Sequence, residues 1–225
     1  MFDFHLLQLA DSAFPAGGFA HSNGLEALHQ AGALDRRSLE VVSRDVIEQA
    51  ASFALPLAGA AFDQPDRLAE LDALAGSYLW SAVAARASRA QGRALLDAAA
   101  RILDSASLRA AKAALRGRAP DGAPSLEGHF APVFGLVGLA MGLDRRGTLA
   151  TLLFTTHRGA LSAAVRLGVV GPFEAQALQH RQRALLEAAL ARGEATPLED
   201  LAQTAPLLEL FGATHDRLYS RLFQS

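Results

Sequence analysis

Residues 145–170 read RRGTLATLLFTTHRGALSAAVRLGVV, and this stretch decides the fold class. Its apolar residues recur three or four positions apart, which places them on one face of an α-helix. The small residues Gly159, Ala160, Ala163 and Ala164 lie on neighbouring turns, where they allow another helix to approach closely. The stretch therefore predicts a long central helix against which other helices pack.

The same periodicity covers most of the chain, and no stretch has the alternation that is typical of a strand. Ser38 is a candidate cap for a helix that runs toward Pro56, Gly142 is a candidate stop, and Gly171 with Pro172 separates two helices. Turn-forming residues mark one substantial loop, GRAPDGAPSLEG at 117–128. We expect an all-α fold in which residues 1–225 form a single domain of roughly nine or ten helices, packed as an irregular bundle.

Composition excludes several classes of protein. The chain has 225 residues and no cysteine, so disulfides, thiolate nucleophiles and cysteine-based metal sites are excluded. The longest uncharged apolar run, 129–143, is shorter than the about 20 residues that a bilayer crossing needs. The chain opens without a basic segment followed by an apolar one, so we expect a cytoplasmic protein that does not associate with membranes.

Charge is distributed unevenly along the chain. Residues 1–85 carry 4 basic and 11 acidic side chains, whereas residues 86–118 carry 8 basic and 2 acidic ones. The acidic first part argues against a ligand-responsive transcription regulator with an N-terminal DNA-binding helix, because such a helix is basic. In the basic segment the arginines scatter around the helix without interleaved aromatic residues, which favours a solvated face or a docking site for an acidic protein over nucleic-acid binding.

Few residues suggest catalysis. His21 and Ser22 with Glu26 could belong to a hydrolase, but a nucleophile elbow needs a strand before the serine. The chain contains no P-loop motif, and its seven histidines include no pair spaced to share one helical face and bind a metal ion. A small α-helical hydrolase remains the enzymatic alternative, and it would need a pocket where His21, Ser22 and Glu26, or His129 and His157, converge.

Two adjacent glycines stand out in DSAFPAGGFAHSNGLE, residues 11–26. Gly17 and Gly18 allow a positive φ and a reversal between two helices, and Ser22 or Asn23 can bond to the free amides of the second helix. The same tight loop could instead expose Phe19 and His21 to a partner. The two interpretations are compatible.

Five stretches carry a resemblance to a known family. They are LLQLADSAFPAGGFAHSNGLE at 6–26, RAQGRALL at 89–96, HFAPVFGLVGLAMGLD at 129–144, SAAVRLGVVGPFEAQ at 162–176 and APLLELFGATHDRLYSRLFQS at 205–225. In this order they resemble the UreF family of urease accessory proteins.

The resemblance implies an all-α adaptor that is not itself an enzyme. Members bridge UreD, also called UreH, and the GTPase UreG, and they regulate GTP-dependent nickel insertion into apo-urease. It further implies a homodimer with no stably bound cofactor or metal, since nickel acts on the urease partner. We expect no nucleic acid among the partners.

The resemblance also directs attention to particular residues. We expect partner contacts at Pro15, Gly17, Gly18, Phe19, His21, Ser22, Glu26, Gln91, Gly92, Arg93, His215, Tyr219, Arg221, Leu222 and Phe223. Residues 206–225 are expected to form a partner-dependent tail that becomes ordered against UreD and helps to build the UreG docking surface, with Arg221 making a charge-assisted contact. For Gln91 and Gly92, a close helix crossing is the competing interpretation.

Overall fold

The computed structural model describes residues 4–118 and 125–225, and the regular structure in these ranges is helical. The first six α-helices are α1 (Phe4–Ala10), α2 (Leu25–Gln30), α3 (Leu39–Gln49), α4 (Leu55–Asp63), α5 (Leu68–Tyr78) and α6 (Ala82–Ile102). The others are α7 (Ala106–Ala114), α8 (Phe130–Ala140), α9 (Arg145–Arg166), α10 (Pro172–Arg181), α11 (Arg183–Ala195) and α12 (Pro206–Ala213). The predicted all-α class is confirmed.

The described residues are divided into more helices than the nine or ten expected, because short elements toward both ends form separate helices. Of the predicted loop 117–128, positions 119–124 lie outside the described residues. No helix in the two described ranges combines the length and the apolar character needed to cross a membrane.

The helix predicted after Ser38 begins at Leu39, but the Ser38 side chain does not cap it. Asp35 instead stabilises the preceding turn, because its carboxylate accepts the N–H groups of Arg37 and Ser38 at 2.9 and 2.8 Å. The helix does not end near Pro56. It passes through a π-helical segment, Ala50–Ala54, and continues as α4 to Asp63. The helical backbone therefore continues without a break from residue 39 to residue 63.

The predicted central helix is confirmed as α9, which packs against α1, α3, α4, α8, α10 and α11. Asp144 caps its start by accepting the N–H of Gly147 at 2.5 Å. Ala160, Ala163 and Ala164 are buried, as a helix crossing requires. Gly159 differs from this expectation, because a Cβ there would meet no atom within 4 Å.

Two helix crossings in the core depend on glycine. A Cβ on Gly135 of α8 would lie 2.0 Å from the Ala58 carbonyl oxygen of α4, and a Cβ on Gly92 of α6 would lie 2.2 Å from the Gly128 carbonyl oxygen. Both distances are far below van der Waals contact, so only glycine allows these backbones to meet. The main hydrophobic core forms around α4, α6, α8 and α9, and a second one joins α2, α9, α10 and α12.

Candidate functional site

The loop from α1 to α2 turns with positive φ angles at Gly17 (73°), Asn23 (52°) and Gly24 (91°). Gly18 was also expected to need a positive φ, but it begins a 3-10 turn instead. The Ser22 hydroxyl accepts the N–H of Glu26 at 3.3 Å, so Ser22 supports the start of α2 as predicted.

The C-terminal residues of the chain pack on this loop. The Ser22 N–H donates to the Ser225 carbonyl at 2.5 Å, and the Gln224 N–H donates to the Ala20 carbonyl at 2.8 Å. A Cβ on Gly24 would lie 2.8 Å from the Leu208 carbonyl oxygen, so α12 packs directly on the start of α2. The first and last of the five stretches singled out in the sequence therefore form one structural unit.

Glu26 is the polar centre of this unit and is only 2% exposed. Its carboxylate accepts the N–H of Leu222 at 2.6 Å and that of Phe223 at 3.2 Å. The same group lies 2.9 Å from Nε2 of His215. A buried carboxylate needs such partners, and here all three come from the C-terminal segment.

Arg166, at the end of α9, lies between two aromatic rings of this unit. Its guanidinium carbon is 3.9 Å from the ring centre of Phe19 and 4.1 Å from that of Phe223. Its Nη1 also donates to the Phe19 carbonyl at 2.5 Å. Arg166 is not among the residues expected to be functional, although it lies within the stretch at 162–176 that carries the family resemblance.

Comparison with known proteins identifies the family. A family model described as UreF matches residues 34–183. The chain belongs to the UreF family. It is similar to "Urease accessory protein F" of Arabidopsis thaliana, at 36% identity over 97% of this chain and 90% of that protein. It is also similar to "Urease accessory protein UreF" of Granulibacter bethesdensis, at 30% identity over 99% of this chain and 93% of that protein.

The residues expected to bind partners divide into two groups in this UreF-family chain. Those at the surface are Pro15, Gly17, Gly18, Phe19, Arg93, Tyr219, Arg221 and Leu222. Those that are buried are His21, Ser22, Glu26, Gln91, Gly92, His215 and Phe223. The buried group holds this chain together, so only the surface group is available for partner contacts in this state.

The expectation that Phe223 becomes ordered against a partner stays a prediction, and Phe223 also has contacts within its own chain. Phe223 is 5% exposed and packs in the second hydrophobic core of its own chain. Two side chains hold the neighbouring backbone. Gln30 Nε2 donates to the Ser220 carbonyl at 2.7 Å, and the Glu26 carboxylate accepts the N–H groups of Leu222 and Phe223. The segment therefore has intramolecular partners that its sequence alone does not reveal.

The α6 residues have mainly structural roles. Gly92 lies at the crossing with the residues before α8, which is the competing interpretation given above. Gln91 is buried, and Arg93 Nε donates to the Glu127 carbonyl at 2.7 Å. A partner cannot reach Gly92 without opening this crossing.

Many charges of the basic segment 86–118 are paired within the chain. The pairs are Arg86–Asp216, Arg89–Glu127, Arg101–Asp97, Arg109–Asp104 and Lys112–Asp97. Asp97 and Asp104 are already in the sequence count, so of these partners only Asp216 and Glu127 reduce the excess of six positive charges, to four.

The residues considered for a hydrolase site, Ser22 and His21, form hydrogen bonds with Ser225 instead. The Ser22 hydroxyl donates to the Ser225 carbonyl at 3.0 Å, and His21 Nδ1 lies 2.6 Å from the Ser225 hydroxyl. Burial lowers the pKa of His21, and the nearby His215 and Arg86 lower it further. The geometry does not pair Ser22 with a base.

His129 and His157 do not converge either. His129 Nδ1 lies 3.1 Å from the Ser88 hydroxyl, whereas His157 Nε2 lies 3.0 Å from the Ser43 hydroxyl and 2.9 Å from Gln182 Oε1. Burial lowers the pKa of both imidazoles. In the part of the chain that the structure describes, no group of three or more His, Asp and Glu side chains could hold a metal ion.

Proposed function

We propose that this chain acts in urease maturation as an adaptor that bridges UreD, or UreH, and the GTPase UreG, and that it thereby regulates GTP-dependent nickel insertion into apo-urease. Membership of the UreF family supports the role in maturation. The observation that carries the bridging role is the unit formed by the loop 11–24, α2 and the C-terminal residues, which presents exposed aromatic and aliphatic side chains from an ordered backbone. Nickel is cargo for urease in this proposal and not a resident cofactor.

The side chains available to UreD lie on the C-terminal segment. Tyr219 is fully exposed and Leu222 is 54% exposed, although the backbone at Leu222 is fixed by Glu26. Exposed aromatic and aliphatic side chains on a fixed backbone lose little entropy on binding, which suits them to a protein interface. We therefore assign Tyr219 and Leu222 to the UreD contact.

Arg221 is assigned to UreG. Its guanidinium is about half exposed and lies 3.6 Å from Asp216, which Arg86 already binds at 2.7 and 2.9 Å. The Arg221 contact within the chain is therefore weak, and its planar fork remains available to a carboxylate or backbone oxygen of a partner.

The contacts of the candidate catalytic residues agree with a non-catalytic role. Ser22 and Glu26 bind the C-terminal segment, so a substrate would have to displace that segment to reach them. The proposal includes a homodimer and a cytoplasmic location, which agree with the resemblance on which the adaptor role rests.

Co-purification with UreD, followed by addition of UreG with GDP or a non-hydrolysable GTP analogue, tests the proposal. The double variant Tyr219→Ser with Leu222→Ser should lose UreD, and Arg221→Ala should keep UreD but bind UreG more weakly. Ile102→Ser is the matched control, because Ile102 is a 48% exposed aliphatic residue at the far end of α6. Deleting residues 216–225 is a poorer test, since it would also remove the buried Phe223.

Circular dichroism establishes that each variant is folded. If the double variant binds UreD as well as Ile102→Ser does, the C-terminal segment does not form the UreD contact. If the wild-type chain binds neither UreD nor UreG, the adaptor role is wrong.

A further inference from the structure

A cavity of about 340 Å³ lies between the C-terminal segment and the body of the protein. Its walls come from α3 and the π-helical segment, from α6 and α9, from the loop 11–24, and from residues 203–225. Most of the lining is apolar, with Phe14, Phe53, Phe134 and Leu208 as large members. Cavities of about 300–1,000 Å³ with apolar walls and a few polar groups are typical of small-molecule sites.

The π-helical segment shapes one wall of this cavity. Pro56 has no N–H to offer the Ser52 carbonyl one turn earlier, and that carbonyl instead accepts the N–H of Ala202 at 3.1 Å. π-helical segments within longer helices occur frequently at functional sites. Here the segment anchors the chain that leads into α12.

Gln49 provides the second anchor. Its Oε1 accepts the N–H groups of Thr204 at 2.6 Å and of Ala205 at 2.8 Å, and its Nε2 donates to Glu209 Oε1 at 3.3 Å. Gln203 is thus held between two anchored residues. Gln203 and Glu209 both line the cavity as neighbours of Gln49, which contacts the Glu209 carboxylate and the backbone next to Gln203.

Three polar atoms of these neighbours are buried without a hydrogen-bond partner among the described residues. They are Oε1 and Nε2 of Gln203 and Oε2 of Glu209. Burial raises the pKa of Glu209, while its bond with Gln49 acts in the opposite direction. Buried polar atoms are rarely left unpaired in folded proteins, so this cluster needs an explanation.

We propose that the cavity binds a small, mainly apolar molecule with a primary carboxamide group, and that Gln203 and Glu209 are its polar contacts. A primary carboxamide offers two N–H donors and one carbonyl acceptor. The cluster offers the complement: two acceptors, Gln203 Oε1 and Glu209 Oε2, and the Gln203 Nε2 donor. An aliphatic tail on the carboxamide would occupy the apolar part of the cavity.

Other ligand classes fit less well. An ionised carboxylate would bring a negative charge to Glu209, and a hydrocarbon would leave all three atoms unpaired. The lining also contains the guanidinium groups of Arg158 and Arg166, each of which donates one N–H to a backbone carbonyl, of Ala10 and Phe19 respectively, at 2.5 Å, so the preference for an amide over an anion rests on Glu209 and Gln203. The pattern of free donors and acceptors therefore selects a neutral amide.

The site is independent of the adaptor role, because it can be tested on the purified chain alone. The C-terminal segment contributes Leu208, Gly212 and Phe223 to the walls, so a bound molecule would be enclosed by the same segment that presents Tyr219 and Leu222. Ligand binding should therefore slow hydrogen exchange in residues 205–225.

Titration of hexanamide into the full chain, followed by NMR chemical shifts, is the direct test. We expect saturable binding below about 10 mM, which is reasonable for a ligand with so few heavy atoms. Hexanoate, which has the same chain length but no N–H donor, should bind at least about tenfold more weakly. Failure of hexanamide to saturate, or equal binding of hexanoate, would overturn the proposal.

Three variants locate the site. Gln203→Leu should weaken hexanamide binding at least about tenfold, whereas Gln176→Leu on the exposed face of α10 should have no effect. Gly159→Leu should abolish binding without unfolding the chain, because Gly159 lines the cavity and a Cβ there meets no atom within 4 Å. Wild-type affinity in Gln203→Leu or in Gly159→Leu would show that hexanamide binds elsewhere, and the proposal would be wrong.

Discussion

The Glu26 carboxylate and the His215 imidazole are 189 positions apart in the chain, yet they lie 2.9 Å apart with almost no solvent contact. Glu26 belongs to the second helix, and His215 follows the last one. Because Glu26 also accepts the N–H groups of Leu222 and Phe223, one side chain fixes both the position and the direction of the C-terminal segment. The surface that carries Tyr219 and Leu222 therefore depends on a residue that no partner can touch.

Replacing this carboxylate should loosen the segment. In Glu26→Gln the amide nitrogen cannot accept a hydrogen bond, so at least one of the three donors loses its partner. We expect the free energy of unfolding to fall by about 1–3 kcal/mol. Amide exchange should accelerate at 215–225 and stay unchanged in α8. Glu187→Gln, at an exposed site that pairs with Arg183, is the control, and it should change stability by less than about 0.5 kcal/mol. Unchanged exchange at 215–225 in Glu26→Gln would contradict this account of the segment.

Arg166 should matter through its two aromatic contacts. Arg166→Ala removes the cation from between the rings of Phe19 and Phe223, together with the bond to the Phe19 carbonyl. Cation–π contacts contribute about 0.5–2 kcal/mol each, so we expect a loss of about 1–3 kcal/mol and faster proteolysis of the C-terminal segment. Arg166→Lys should lose less stability than Arg166→Ala, because lysine keeps the positive charge and loses only the planar guanidinium. Thermal unfolding measures both changes, and Arg183→Ala is the exposed control. If Arg166→Ala and Arg183→Ala have the same unfolding temperature, the stacked geometry contributes nothing.

The helical class and the turn near residue 17 could be predicted from sequence because the signals are local. The spacing of apolar residues in 145–170 determines one face of α9, and the glycines near residue 17 mark a turn. The start at Leu39 follows from the same kind of signal. Helix periodicity and turn chemistry act within a few residues, so they need no knowledge of the tertiary fold.

The sequence could not show which end residues face inward, because burial at Glu26 and Phe223 depends on contacts between distant segments. The same holds for the basic segment: its excess of arginines is evident in the sequence, but the pairing of Arg86 with Asp216 across 130 positions is not. The continuation of α3 through a π-helical segment was also missed, since Pro56 normally indicates a helix boundary. Here the freed Ser52 carbonyl finds a partner in Ala202.

Two helix glycines offer a matched test of the core. A Cβ on Gly92 would lie 2.2 Å from the Gly128 carbonyl oxygen, whereas a Cβ on Gly159 would meet nothing within 4 Å. Gly92→Ala should therefore destabilise the fold by about 3 kcal/mol or more, because backbone must move to admit the methyl group. Gly159→Ala should instead stabilise it by about 0.5–1 kcal/mol, through the better helix propensity of alanine. Urea unfolding measures both. A Gly92→Ala protein as stable as the wild type would mean that α6 does not cross so closely to the residues before α8.

The buried histidines predict how stability depends on pH. His157 is fully buried, and its burial lowers its pKa below the ordinary value of 6.5, while the bond with Gln182 opposes this in part. Nε2 faces Gln182 Oε1 and is assigned the proton, so protonation would place a charge at Nδ1, which has no partner among the described residues. The unfolded chain then binds a proton more readily than the folded one as the pH falls below 6.5, and stability is lost from there down through the lowered pKa. The pKa values of His21 and His129 are lowered in the same way, so these residues add to the loss of stability.

Unfolding free energies measured between about pH 7.5 and 5 should therefore fall more steeply in the wild type than in His157→Gln. His180→Gln, at an exposed position of α10, should keep the wild-type slope. If His157→Gln also keeps the wild-type slope, the acid sensitivity arises from groups other than His157.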